Sequence, residues 1–209
     1  MFLDELPEFA KSTLEVLRVP LEDGEVTISR INASLTYPAK FVLMASMNPC
    51  PCGYYGSKDK ECNCTPQQIA KYMGKISGPL LDRIDIHIEV TPVKYEKLES
   101  DVQPESSEQI KMRVNNARKI QLERYKDNKI FSNSELTPKL IEKYCKLDTN
   151  SKKILENAFQ KLGLSARAYG RILKVSRTIA DLAGEENILP SHIAEAIQYR
   201  NLDRKYWGK

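Results

Sequence analysis

The feature that most constrains this chain is a change of pattern at Pro92. Before it, short apolar or alternating runs are separated by stretches rich in Pro, Gly and Cys, as expected of strands joined by irregular connections. After it, every periodic segment has the spacing of a helix. Such a chain predicts an α/β part followed by an all-α part: residues 1–93, a polar linker over 94–106, and a helical domain over 107–209. The 209 residues suffice for a buried core. With 41% hydrophobic and 29% charged residues, a disordered chain is excluded. No run approaches the ~20 apolar residues of a membrane-spanning helix, and Met1 to Glu8 is not a secretion signal. The expectation is therefore a cytoplasmic protein with no membrane partner. A net charge of +4 permits a nucleic-acid partner without requiring one.

Along the first part, Met1-Phe2-Leu3 reads as a strand ending in Asp4-Glu5, and Pro7 to Leu17 has helical spacing through Phe9, Leu14 and Leu17. Glu25–Ser29 and Ala33–Tyr37 alternate and predict a hairpin with its tip near Ile31-Asn32. The continuous apolar run Phe41–Ala45 predicts a buried strand. Thr65-Pro66-Gln67-Gln68 opens a helix with an N-cap, a proline in the first turn and a capping box. Ile84–Val90 alternates as a further strand. In the second part, a helix from Ser107 to about Tyr125 presents Ile110, Val114, Ala117 and Ile120 on one face. Thr137-Pro138 and Asp148 start two more helices, Gly163 stops one, Ser165 caps a longer one ending at Gly184, and Pro190-Ser191 begins the last.

Several residues carry chemistry in this layout. A strand ending in two carboxylates suits a nucleotide-hydrolysing site: Asp4 can hold Mg²⁺ and Glu5 can deprotonate the attacking water. Asn48, just past the strand 41–45, lies where α/β sheets bind ligands. Arg167, in the first turn of a helix, joins a guanidinium to the positive end of a helix dipole and favours a phosphate. Cys50-x-Cys52 and Cys62-x-Cys64 place four soft thiolate ligands within fifteen positions, which suits tetrahedral Zn²⁺. The spacing is tighter than in a standard zinc finger, and free thiols or disulfides are the alternatives. Cys145 reads as a core residue, and His87 and His192 as structural.

Phe2-Leu-Asp-Glu-Leu-Pro-Glu-Phe9, Pro20-Leu-Glu-Asp-Gly-Glu-Val-Thr-Ile-Ser-Arg30, Met47-Asn-Pro-Cys-Pro-Cys-Gly53 and Gly78-Pro-Leu-Leu-Asp-Arg-Ile-Asp85 resemble consecutive blocks of one family. It is the competence-associated, ComM/YifB-type branch of the magnesium-chelatase-like AAA+ ATPases. Ser165-Ala-Arg-Ala-Tyr169, Arg171 and Arg177-Thr-Ile-Ala-Asp-Leu182 resemble its C-terminal helical domain. The resemblance implies a truncated AAA+ P-loop ATPase core followed by a helical lid. It implies that Asp4 and Glu5 form Walker B, that Asn48 is sensor 1, and that Arg83 is an arginine finger for a neighbouring subunit. Arg167 becomes sensor 2, a role for which Arg171 competes, and residues 24–40 become a hairpin that in this clade often faces the ring's pore. Implied cofactors are ATP and Mg²⁺. Implied partners are DNA and further copies in a hexameric ring, with branch migration or helicase action in recombination or natural transformation as the task. As a plain surface charge, Arg83 would instead pair with Asp82 or Asp85.

The family's phosphate loop, Gly-x-x-x-x-Gly-Lys-Ser/Thr, lies upstream of Walker B and does not occur in this sequence. The nearest match, Gly74-Lys75, is followed by Ile76 and has Ile69 where the first glycine belongs. The expectation is a C-terminal fragment that does not hydrolyse ATP alone. A rival reading makes the chain a non-enzymatic zinc-containing module that binds DNA or protein, using Lys111, Arg113, Arg118, Lys119 and Arg124 on the first helix of the second part.

Overall fold

A computed structural model describes residues 1–31, 33–91 and 104–200. These fall into two compact units, one over residues 1–84 and one beginning at Asp85. Most of the expected linker, residues 94–103, lies outside the described residues, as do Asn32, part of the expected hairpin tip, and residues 201–209.

The first unit opens with β1 (Phe2–Leu3), a 3₁₀ turn at Leu6–Glu8, α1 (Lys11–Val16) and α2 (Arg18–Asp23). Helical spacing from Pro7 to Leu17 resolves into two pieces, because Phe9 and Ala10 are extended between the turn and α1. Then come β2 (Glu25–Arg30), β3 (Ala33–Pro38), β4 (Met44–Ala45), α3 (Pro66–Met73) and α4 (Gly78–Leu81). Leu6, Leu14, Ile76, Leu80 and Leu81 form the core, with Leu3, Leu17, Leu21 and Met47 packed against them. Thr65 caps α3 through a capping box in which Gln68 N donates to Thr65 Oγ1 at 3.3 Å and Thr65 N to Gln68 Oε1 at 2.8 Å.

β2 and β3 pair antiparallel, Val26 opposite Tyr37 and Ile28 opposite Leu35. On the alternate positions, hydroxyls meet across the ladder: Thr27 with Thr36 at 2.9 Å and Ser29 with Ser34 at 3.1 Å. Every described residue of both strands is exposed.

Two strand expectations fail. Phe41–Ala45 is not a buried strand: only Met44–Ala45 pairs, parallel to β1, and Val42 and Met44 are 76% and 63% exposed. A continuous apolar run marks a strand covered on both faces, and this two-stranded sheet has no such cover. Ile84–Val90 forms no strand, and Ile86, Ile88 and Val90 are exposed. Alternation supplies a face, but a strand also needs a neighbour for its backbone groups, and His87 N donates instead to Tyr199 O at 2.9 Å.

The second unit is helical: α5 (Ser107–Tyr125), a 3₁₀ turn at Asn133–Glu135, α6 (Pro138–Tyr144), α7 (Thr149–Leu162), α8 (Ala166–Ala183) and α9 (Pro190–Gln198). Its start and stop signals are those read from the sequence, apart from Ser106, which the sequence reading did not single out. Ser106 caps α5, Asp148 Oδ1 accepts from Ser151 N at 2.7 Å, Ser165 Oγ accepts from Ala168 N at 3.2 Å, and α7 and α8 end at Gly163 and Gly184. Leu155, Ile172, Leu173, Ala180, Ile193 and Ile197 are among the core residues, and Cys145 lies with them. His192 is also buried; its Nδ1 accepts from Leu189 N at 3.1 Å and so caps α9.

The buried face of α5 agrees with the expected one at Ala117 and differs elsewhere. Ile110, Val114 and Ile120 are exposed, and the buried positions are Ala117, Gln121 and Tyr125. Hydrogen bonding fixes that face. Gln121 Oε1 accepts from Asn133 N at 3.2 Å, and Tyr125 OH donates to Asn133 Oδ1 at 2.6 Å.

Candidate functional site

The parallel pairing of β1 with β4, Phe2 opposite Met44 and Leu3 opposite Ala45, brings the carboxyl ends of two strands side by side. Asp4-Glu5 leave one end, and Ser46, then Asn48, leave the other. Asp4 Oδ1 accepts from the Ser46 hydroxyl and from Glu5 N at 3.1 Å. Backbone bonds lock the crossing, Ser46 N to Leu3 O at 3.0 Å and Leu6 N to Ser46 O at 2.9 Å. Between them Glu5 adopts φ 51° and ψ 52°, the left-handed region. For a residue with a Cβ this strain is of order 1–3 kcal/mol, and such residues concentrate at functional sites. Asp4 and Glu5 are exposed, and the Asp4 carboxylate with the Ser46 hydroxyl is a pair of hard oxygen donors of the kind Mg²⁺ takes.

Asn48 stands at the junction with the cysteine segment. Gly53, at φ +83°, has no Cβ, and one built there would come within 3.9 Å of the Asn48 amide carbon. Tyr72 of α3 is buried with its phenol near the Asn48 backbone, and burial pushes the phenol pKa up. No pattern in the sequence pointed to Tyr72, since a lone tyrosine on a helix face carries no spacing signal.

Arg83 lines a cleft of about 350 Å³ together with Glu15, Arg18, Val19, Glu22 and Asp23. Its side chain is 7% exposed. Nε donates to Arg18 O at 3.1 Å, one terminal nitrogen to Pro79 O at 2.7 Å, and the other pairs with the Glu22 carboxylate. The expected partner Asp85 pairs instead with Arg171. Arg167, in the first turn of α8, is exposed, whereas Arg171 one turn later is half-buried in its ion pair.

Cys50, Cys52, Cys62 and Cys64 converge, with ligand atoms all within 4.8 Å of one another. Three Sγ–Sγ distances are 3.4, 3.7 and 3.6 Å. No cysteine among the described residues is in a disulfide. Four sulfurs at ~2.3 Å from a tetrahedral Zn²⁺ would stand about 3.8 Å apart, a spacing that Cys50, Cys52 and Cys62 already approach and that lies within the 4.8 Å bounding all four. Tyr55 N donates to Cys50 Sγ at 3.4 Å, an outer hydrogen bond of the kind that orients a thiolate ligand. A backbone hydrogen bond at Tyr54 lowers Cys52 to about 6, and burial pushes Cys64 up to about 12. Cys62 is also raised, so one thiolate forms readily while Cys62 and Cys64 resist the crowding of like charges.

The basic helix is less open than its sequence implies. Arg113 makes a two-pronged pair with Glu105 at 2.9 and 3.1 Å, and Arg124 is tied to Asp181, leaving Lys111, Arg118 and Lys119 as exposed cations of that set. Among the described residues no helix is long and apolar enough to cross a membrane.

Sequence comparisons divide the chain in two. Residues 1–98 match the family described as magnesium chelatase, subunit ChlI, and residues 104–200 match magnesium chelatase, subunit ChlI C-terminal. Competence protein ComM of Haemophilus influenzae is 49% identical over 205 residues, which is 98% of this chain and 39% of that protein. The YifB protein of Escherichia coli is 44% identical over the same shares. A protein of Mycobacterium tuberculosis is 34% identical over 200 residues, 96% of this chain and 39% of that protein. The chain thus spans 39% of the length of these relatives.

Proposed function

Because this chain belongs to the magnesium-chelatase-like family that includes ComM and YifB, we propose that it forms part of an ATP-driven AAA+ motor, supplying the later half of the ATPase core and its helical lid. The observation that carries this reading is the shared strand edge: Asp4-Glu5 after β1 and Asn48 after β4, bound together through Ser46. Ligands of α/β sheets bind outside the carboxyl ends of strands, and this edge offers a carboxylate and hydroxyl for Mg²⁺, a second carboxylate for the attacking water and an amide for the γ-phosphate. Arg83 acts in trans as the finger and Arg167 as sensor 2, with Arg171 as the alternative. ATP is gripped chiefly by a phosphate loop outside these 209 residues, which contain no such motif. This chain alone therefore neither binds ATP tightly nor turns it over.

The four cysteines fit Zn²⁺ in number, softness and spacing, and we assign it a structural role. DNA is the proposed track and a hexameric ring the proposed assembly. The name of the Haemophilus relative suggests a task in competence, with branch migration during recombination as the activity.

The deciding experiment adds back the segment that precedes this sequence in the full-length protein. ATPase activity that appears on addition supports the motor. DNA binding by this chain without nucleotide, with no ATPase under any combination, supports the rival reading, which the convergent cysteines favour: a zinc-containing binding module.

A further inference from the structure

Three bonds of the Arg83 guanidinium, one from each nitrogen, land on α2, which leads into the hairpin, or on α4, the helix just before the arginine. Arg18 O and Glu22 are in α2, and Pro79 O is in α4. α2 ends at Gly24, where φ is +69° and the chain turns directly into β2. Gly24 O then accepts from Ala39 N at 2.7 Å, closing the base of the hairpin. Beyond that base, every described residue of β2 and β3 is exposed. An isolated two-stranded ribbon is marginally stable in water, so what positions this one is its base.

We propose that Glu22 is a positioning residue for Arg83, and that the Glu22–Arg83 ion pair makes the arginine and the hairpin two ends of one device. This rests on the reading of Arg83 as a finger. A guanidinium held by Glu22, Arg18 O and Pro79 O cannot at the same time reach a neighbouring subunit's phosphates. When it leaves for them, α2 loses one bond at its first residue, Arg18, and one in its last turn, at Glu22, and the hairpin base loosens. The pair is built to open: Glu22 is 37% exposed and faces the cleft, so water can solvate its carboxylate once the arginine departs. Nucleotide engaged by one subunit would thereby be signalled to the hairpin of the next.

The test is amide hydrogen exchange over residues 25–38 in the full-length assembled protein, with and without a non-hydrolysable ATP analogue. In the wild type, exchange should accelerate when the analogue binds. In Glu22→Gln it should already be about tenfold faster without nucleotide, the size expected for losing one partly exposed charge-assisted bond, and the analogue should add little. Glu22→Asp, which keeps the charge, should restore most of the wild-type response. Residues 107–198 serve as the control that the variants are folded. Hairpin exchange that ignores both Glu22→Gln and the analogue overturns the coupling and leaves the finger reading untouched. If Glu22→Gln loosens the hairpin but Arg83→Ala still hydrolyses ATP at the wild-type rate, the finger reading fails and, with it, the sharing of Arg83 between two sites.

Discussion

Arg124 and Asp181 stand 57 positions apart and meet through two parallel hydrogen bonds, 2.9 and 2.5 Å long, that join α5 to α8. The same carboxylate accepts from Arg177 Nε at 3.1 Å and from Asn133 Nδ2 at 2.8 Å, and its side chain is wholly buried. Arg177 in turn donates to Glu186 O at 2.7 Å and Glu185 O at 2.6 Å, so the network also fixes the turn after α8. Removing the one anion would leave two arginines short of a partner. Asp181→Ala should therefore destabilise the helical unit by about 3 kcal/mol or more, read as a lowered urea midpoint with an unchanged slope. A loss below about 1 kcal/mol would mean that water replaces the carboxylate readily.

Zinc should accompany the purified protein at one ion per chain. Cys50→Ser should lower occupancy most among the four, because Cys50 is buried and also receives the Tyr55 N–H. Binding requires thiolates, so the metal competes with protons, and affinity should fall as pH is lowered. Elemental analysis across a pH series checks this. Metal-free protein with an ordered 50–64 loop would remove the zinc assignment and leave the ATPase reading in place.

Gly24 and Gly78 should respond oppositely to alanine. At Gly24, φ is +69° and a Cβ would stand 3.0 Å from Lys40 Cγ, so Gly24→Ala should cost about 1–2 kcal/mol and speed exchange at the hairpin base. Gly78 begins α4, has an ordinary φ, and a Cβ there would meet nothing within 4 Å. Gly78→Ala should be neutral or stabilise by up to about 1 kcal/mol, chiefly by restricting the unfolded chain. Equal losses at both sites would show that something other than backbone geometry governs the hairpin entry.

Local signals were legible where the reason for them is local. Thr65, Asp148 and Ser165 cap helices because each side chain reaches a backbone N–H three residues on, which sequence spacing specifies completely. The 25–38 hairpin was legible because alternation and the short link leave one register. What failed depended on partners. Val42 and Ile88 have the pattern of strand residues, but pattern does not supply the neighbouring strand or the covering layer. On α5, Ile110 lost to Gln121 because a polar anchor at Asn133, twelve positions away from Gln121, sets the helix's rotation. In the same way Glu22 as the partner of Arg83 was invisible, since the pair spans 61 positions and nearer carboxylates existed at Asp82 and Asp85.

The two arginines assigned to nucleotide should fail in different ways when removed from the full-length protein. A finger meets charge that develops as the phosphate bond breaks, whereas ground-state binding comes mainly from the phosphate loop. Arg83→Ala should thus lower hydrolysis by ~10³-fold or more while leaving nucleotide affinity nearly unchanged. Arg167, exposed in the first turn of α8 in the proposed lid, is assigned to the bound γ-phosphate itself, so Arg167→Ala should weaken binding and turnover together. Mixing subunits separates cis from trans. Rings built from Arg83→Ala and Glu5→Gln subunits contain intact sites wherever a Glu5→Gln subunit lends its arginine to an Arg83→Ala neighbour, and should recover part of the activity each variant lacks alone. Recovery should be greatest near equal proportions, where such junctions are most frequent. Rings demonstrably mixed yet inactive at every ratio would count against action in trans, and would leave Arg83 as the clamp between α2 and α4 that its bonds to Glu22, Arg18 O and Pro79 O already make it.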